Sequence, residues 1–216
     1  MCSKPLKKTS SEWSPNLAYA IGLLVTDGSL SKDGRHLDFT SKDKELINIF
    51  LNCLSIQAKV SLKKSGKSLG AYYRTQWSDV VFYKFLESIG LMPNKTKIIE
   101  EVKIPNEYFF DFLRGHLDGD GTFYSYWDKR WKSSYMFYTV FISASEKHLK
   151  WLQEKNNNIL NIKGHFCKAG SIFQLKYAKA ESLQLLSKIY YNKKIPHLPR
   201  KRIKINRALK IINIAV

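Results

Sequence analysis

The segment Phe109-Phe110-Asp111-Phe112-Leu113-Arg114-Gly115-His116-Leu117-Asp118-Gly119-Asp120-Gly121-Thr122-Phe123 decides the fold. It begins as an apolar helix and ends in acids alternating with glycines. The last carbonyls of a helix have no partners and make that end negative, so carboxylates placed there are repelled. Such an ending suits a neighbouring cation, and carboxylate plus carbonyl oxygens suit Mg²⁺ or Ca²⁺. An EF-hand loop is excluded. Counted from Asp118, Phe123 stands where that loop needs glycine, and no acid follows at its last position.

The chain contains the segment twice. Ala20-Ile21-Gly22-Leu23-Leu24-Val25-Thr26-Asp27-Gly28-Ser29-Leu30 aligns with Leu113 through Phe123, placing Gly22 on Gly115 and Asp27 on Asp120. The offset is close to half of the 216 residues, which marks an internal duplication and not a solenoid. Gly22 and Gly115 both fall inside predicted helices, where glycine costs about 1 kcal/mol relative to alanine. A cost carried twice predicts that the two helices pack with their backbones close, bringing Asp27 and Asp120 together.

The elements between the copies also repeat. Ser14-Pro15 is a helix start, Ser as cap and Pro at the first helical position. A hairpin turning at Lys32-Asp33-Gly34-Arg35 follows, then a helix over 44–54, a second hairpin around 64–68, and a helix capped by Asp79. After a link over 94–107, the second half predicts strands near 122–128 and 134–143, a helix over 146–158, strands near 162–168 and 171–177, and a helix over 181–191. Ile205, Leu209, Ile212 and Ala215 give a last helical spacing from Ile203 to Val216.

The two nonapeptides, AIGLLVTDG (20–28) and LRGHLDGDG (113–121), resemble the motif of the LAGLIDADG homing endonuclease family in its single-chain, two-copy form. The resemblance covers about residues 14–215. It implies an α+β fold of two pseudo-symmetric αββαββα halves packed through their motif helices, the sheets forming a DNA-binding saddle. The halves are expected at 14–105 and 106–216, behind a basic flexible tail at 1–13. The implied function is a site-specific, intron-encoded homing endonuclease, a monomer that makes a double-strand break in a long asymmetric DNA target. Two or more Mg²⁺ ions would serve it, with Mn²⁺ able to substitute and Ca²⁺ supporting binding only. An intron RNA maturase and a catalytically silent DNA-binding regulator are the alternatives on the same fold.

Charge agrees with a polyanionic partner: the net value is +18, from 36 basic and 18 acidic residues spread over many elements. No apolar run reaches the roughly 18 residues of a membrane span and no signal peptide is visible, so no membrane partner is expected. Cys2, Cys53 and Cys167 are odd in number and widely separated, which predicts an intracellular, reducing compartment without a disulfide framework.

The resemblance assigns Asp27 and Asp120, at the motif's eighth position, as catalytic metal ligands, with the carbonyls of Thr26 and Gly119 as further ligand oxygens. Asp118 faces Val25 in the other copy and reads as a dispensable, solvated acid. The family also sets a lysine from each half beside the metals. The matching stretches Leu91–Lys95 and His197–Lys201 nominate Lys95 and Lys201, with Lys97, Arg200 and Arg202 as competing neighbours. Ser41 and Ser145 fall near a water-contacting position and stay outside the set. DNA contacts are expected on the strands, because a β-ribbon fits the major groove. The candidates are Lys63, Arg74, Gln76, Lys129, Arg130, Lys132, Lys168, Gln174 and Lys176, each of which could equally touch phosphate. No histidine has zinc spacing to cysteine or to another histidine, and His116 reads as a packing residue.

Overall fold

The computed structural model describes residues 8–64, 71–131 and 133–213. Ser14 starts α1 (Pro15–Asp27): its hydroxyl accepts from the Leu17 amide at 3.1 Å, and Pro15 takes a position where no amide proton is needed. The first half continues as β1 (Gly28–Leu30), β2 (His36–Ser41), α2 (Lys44–Leu54), β3 (Val60–Lys64), β4 (Ala71–Ser78) and α3 (Val80–Ser88). The second repeats it as α4 (Phe109–Asp118), β5 (Thr122–Trp127), β6 (Tyr135–Ser143), α5 (Glu146–Leu160), β7 (His165–Ala169), β8 (Ile172–Tyr177) and α6 (Lys179–Ile189), and adds α7 (Pro199–Ile211). The strands form two antiparallel sheets with the same order, β1-β2-β4-β3 and β5-β6-β8-β7.

α1 and α4 form the joint between the halves. A Cβ built on Gly22 would overlap the Phe112 carbonyl oxygen, and one on Gly115 would overlap that of Tyr19, so only glycine permits this approach. Further along, a Cβ on Gly119 would run into the Thr26 side chain. The contacts climb both helices in the same direction, so the helices are parallel and end side by side. α1 is apolar all round because it is buried all round: every residue from Ala18 to Leu24 is closed to solvent.

In each sheet one set of alternating residues enters the core and the other points away from the helices. Leu37, Phe39, Thr75 and Trp77 face inward in the first sheet; Phe123, Phe137, Phe141 and Leu175 do so in the second.

Two expectations need correction. Residues 8–13, placed with the flexible tail, are docked on the first half. The Asp79 carboxylate accepts from the amides of Lys8 (2.6 Å) and Thr9 (2.8 Å) while also capping α3 at Phe82, and Trp13 packs edge-on to Phe85. The last helix begins at Pro199 and not at Ile203, because Pro199 occupies its first turn, where proline is preorganised. Ile205 and Leu209 bury its inner face.

Candidate active site

The side-by-side ends of α1 and α4 carry the two motif acids. Asp27 is the last residue of α1, and Asp120 lies two residues beyond α4. Burial pushes the Asp27 carboxyl up to about 7; Asp120 and Asp43 push in the same direction and Lys201 and Lys95 oppose them. Burial also raises Asp120, again against the pull of Lys201 and Lys95. The two acids and two lysines from opposite halves thus share one electrostatic cluster, as the sequence motif implies.

Both lysines are held on the helix ends. Lys95 lies in a single 3-10 turn, is 5% exposed, and donates to the carbonyl of Gly28. Lys201, in the first turn of α7, donates among the carbonyls of Leu117 (2.6 Å), Asp118 (2.8 Å), Gly119 (3.0 Å) and Gly121 (2.7 Å). An ammonium there neutralises the negative end of α4. Burial lowers each lysine to about 8, although the neighbouring acids favour the charged form. The Gly119 carbonyl, expected as a ligand oxygen, is therefore an acceptor for Lys201. The Thr26 hydroxyl turns back to the Leu23 carbonyl at 2.9 Å.

Asp118 is not solvated. It is 1% exposed, and its Oδ2 accepts from the Tyr19 hydroxyl at 2.8 Å and the Leu198 amide at 2.7 Å. Burial raises its carboxyl, with Lys201 opposing. The acid ties α4 both to α1 and to the segment that leads into α7. That segment has a second tether. Arg114, fully buried, donates to Asp111 (2.6 Å) and to the carbonyls of Ile189 (2.9 Å) and Pro196 (2.7 Å), with its guanidinium 5.3 Å from the Tyr19 ring. Together these contacts fix where Lys201 stands.

A cleft of about 330 Å³ opens beside Asp27, lined by Ser41, Lys42, Asp43, Tyr72, Asp118, Gly119 and Arg200 among others. Arg200 closes one side by pairing with Asp43 (Nη2 to Oδ2, 2.7 Å), which joins α7 to the start of α2 across 157 residues of sequence. Nothing local in the sequence announces Asp43. The repeat also resolves the serines: Ser41 and Ser143 are counterparts, each accepting from the amide two residues on, at 3.1 and 3.0 Å. Ser145 instead caps α5.

The donor set fits a hard cation. Two carboxylates stand at the helix ends, Asp27 half-buried and Asp120 exposed, and no group of three or more His, Cys, Asp or Glu that could hold a metal occurs among the described residues. Mg²⁺ commonly takes one or two carboxylates and leaves its other positions to water and substrate phosphate. His116 and His148 stack at 5.2 Å inside the second half and were not paired by sequence spacing. Burial lowers both, His148 to about 4.

The expected DNA contacts divide by strand register. Lys63, Arg74 and Gln76 share the helix-free face of the first sheet, where Arg74 pairs with Asp38. Gln174 and Lys176 share the corresponding face of the second sheet. Lys168 does not join them. It pairs in register with Phe173 and sits with its ammonium 5.7 Å from that ring, on the opposite face. Lys129 and Arg130 lie in the exposed β5–β6 turn, Arg130 tied to Asp128 at 3.4 Å, and Lys132 is outside the described residues.

Residues 14–90 match the LAGLIDADG-like domain family. No curated protein matches the chain. Among solved structures, full-length DUF199/WhiA from Thermatoga maritima aligns with a TM-score of 0.58 at 15% identity over 96% of this chain. This chain spans only 64% of that protein. The homing endonuclease I-WcaI, bound to its DNA recognition sequence, aligns with a TM-score of 0.64 at 15% identity, covering 91% of this chain and 88% of that one. A variant of I-DmoI with its target DNA in the presence of manganese aligns with a TM-score of 0.53 at 15% identity, covering 84% of this chain and 97% of that one. The first half thus matches a LAGLIDADG-like domain and the second repeats its element order, so the chain has the LAGLIDADG fold in two copies.

Proposed function

We propose that the protein is a site-specific endonuclease of double-stranded DNA, hydrolysing phosphodiester bonds at the paired ends of α1 and α4 with a divalent cation, Mg²⁺ by preference. The observation that carries this reading is the cluster itself: one acid and one lysine from each half, Lys95 buried and Lys201 half-buried, gathered where two helices end. Asp27 and Asp120 would hold the cation, with the Thr26 carbonyl as a further oxygen; bound there, it would neutralise phosphate charge and lower the pKa of an attacking water. Lys95 and Lys201 keep positive charge beside the reacting phosphates, and at about 8 each ammonium lies near the pH at which a proton can be exchanged. The outward sheet faces, with Lys63, Arg74, Gln76, Gln174 and Lys176, would hold the duplex on either side. Single-chain asymmetry implies an asymmetric target. The relatives solved with DNA support a duplex partner, and the net charge of +18 supports a polyanion.

The test is cleavage of a randomised duplex library in Mg²⁺, with binding measured separately in Ca²⁺. Wild-type protein should bind and cut; Asp27→Asn and Asp120→Asn should bind with similar affinity and lose cleavage by a factor of about 10²–10³, on the scale of losing one preorganised electrostatic group. Undiminished cleavage in both variants overturns the assignment. Duplex binding without cleavage by the wild type would point to a silent DNA-binding protein.

A further inference from the structure

The cleft beside Asp27 is lined by Lys42, Asp43, Tyr72 and Arg200, and the repeat gives each of them a counterpart in the other half. Ser41 pairs in register with Tyr73 as Ser143 does with Phe173, which sets Lys42 against Ala144 and Tyr72 against Ile172. Asp43 and Ser145 each stand immediately before the next helix, and Arg200 matches Asn94 in the stretches that carry the two lysines. Two cations and an acid on one side thus correspond to a methyl, an amide and a hydroxyl on the other. Ser145 is also closed to solvent, at 2% exposed, and its hydroxyl donates to the Ile99 carbonyl of the first half.

We infer that Arg200 binds the scissile phosphate of one strand only, that Asp43 positions it, and that the two strands are therefore cut at unequal centres. This rests on the endonuclease reading above. Asp43 accepts from Arg200 Nε at 3.0 Å through each oxygen and from Nη2 at 2.7 Å. Nη1 has no acceptor among the described residues, and the arginine side chain is 60% exposed, so a phosphate oxygen can reach it. A planar guanidinium held on a carboxylate stays charged and is already oriented when the phosphate arrives. A brace between the halves is the poorer account of the pair. The halves are joined through α1 and α4, and exposed ion pairs stabilise weakly. In the reaction a water oxygen bonds to phosphorus and the bond from phosphorus to the 3′ oxygen breaks. The electron pair of that bond stays on the 3′ oxygen, which takes up a proton, and the water gives one up to solvent. Negative charge on the phosphate oxygens is stabilised by a preorganised cation, here for the strand beside Arg200.

The experiment uses a duplex selected by cleavage from a random library, with a different fluorophore on each strand, and times the cutting of each strand in Mg²⁺. Arg200→Gln should slow one strand by about 10²-fold, the scale of one preorganised donor, and change the other less than about three-fold. Nicked duplex should then accumulate. Asp43→Asn should slow the same strand by a smaller factor. Asn94→Gly, at a left-handed backbone position (φ 58°) that glycine keeps, should slow neither. Binding in Ca²⁺ gives a readout apart from turnover. The slope of log affinity against log salt should shrink by about 0.9 in Arg200→Gln, one phosphate contact, and not in Asn94→Gly. Equal slowing of both strands by Arg200→Gln, or an unchanged salt slope, overturns the inference and leaves the endonuclease reading intact. Slowing of the opposite strand by Asp43→Asn, or of either strand by Asn94→Gly, also overturns it. A wild-type chain that cuts no duplex defeats both.

Discussion

α1 and α4 descend from one motif and do the same geometric task, yet they are held in opposite ways. α1 is a plain apolar rod whose hydrophobic burial positions Asp27. α4 carries Asp111, Arg114, His116 and Asp118 in its buried face, each at most 3% exposed. The difference follows from what each helix must position next. In the first half Lys95 arrives a few residues after α3, behind the buried Leu91. In the second half Lys201 arrives only after the longer stretch from Ile189 to Pro199, and Arg114 and Asp118 tie that stretch down through hydrogen bonds. Apolar packing is enough for a short connection. A long one needs directional contacts, because each ordered residue costs roughly 1–2 kcal/mol of backbone entropy.

The largest expected effect tests what the helices share. Gly22→Leu and Gly115→Leu each force a side chain into facing backbone, beyond the ordinary overpacking cost of about 1–3 kcal/mol. Since whole domains are stable by about 5–15 kcal/mol, neither variant should show a cooperative urea transition near that of the wild type. A mild effect in one glycine and a severe one in the other would break the symmetry of the joint.

Arg114→Leu comes next, because it takes the cation from the buried Asp111 carboxylate, leaving it the Tyr191 hydroxyl, and frees two carbonyls. The loss should be about 3–5 kcal/mol by urea unfolding. Its counterpart substitution, Ile21→Val, should cost only about 0.5–1.5 kcal/mol. Near-equal losses would deny α4 its polar role.

Acid sensitivity should belong to the second half. His148 stays neutral in the folded protein down to about pH 4, whereas the unfolded chain takes up its proton near 6.5. The unfolded state therefore binds more protons between those values, and stability falls as pH falls through that window, by up to about 1.4 kcal/mol per pH unit. His148→Leu, which matches Leu46 in the first half, should flatten the fall between pH 6.5 and 4 in melting experiments.

The smallest effect is expected at Asp118. Asn can accept from both Tyr19 and Leu198 through one oxygen, so Asp118→Asn should change stability by less than about 1 kcal/mol. Asp118→Leu leaves both donors unpaired and should cost about 1–3 kcal/mol or more. Similar outcomes for the two would mean that the hydrogen bonds do not matter.

These contrasts also mark how far the sequence could be read. The glycines, the element order and the acid pair were legible because each leaves a local trace: a spacing, a cap or a repeat. Asp118 was misjudged because comparison with Val25 treats the copies as interchangeable, and its partners lie 99 and 80 residues away. Lys168 was misplaced by strand parity. The turn at Ala169–Gly170 sets the pairing, and a shift of one residue moves a side chain to the other face. The start of α7 was legible in principle, since Pro199 follows a segment without helical spacing. The Arg200–Asp43 pair was not, because only the folded chain brings those residues together.

The hydroxyl of Tyr19 bears on which halves can pair. In a symmetric pair of first halves, each Tyr19 would face Val25 where it now meets Asp118, and two hydroxyls would be buried without an acceptor. In a symmetric pair of second halves, Phe112 would stand where Tyr19 does, and each Asp118 would lose a donor. Either arrangement costs about 1–3 kcal/mol per unpaired group, twice over. The buried Tyr19–Asp118 pair therefore favours the pairing of unlike halves over either like pair, so splitting the chain at the link should yield fragments that reassemble as a mixed pair.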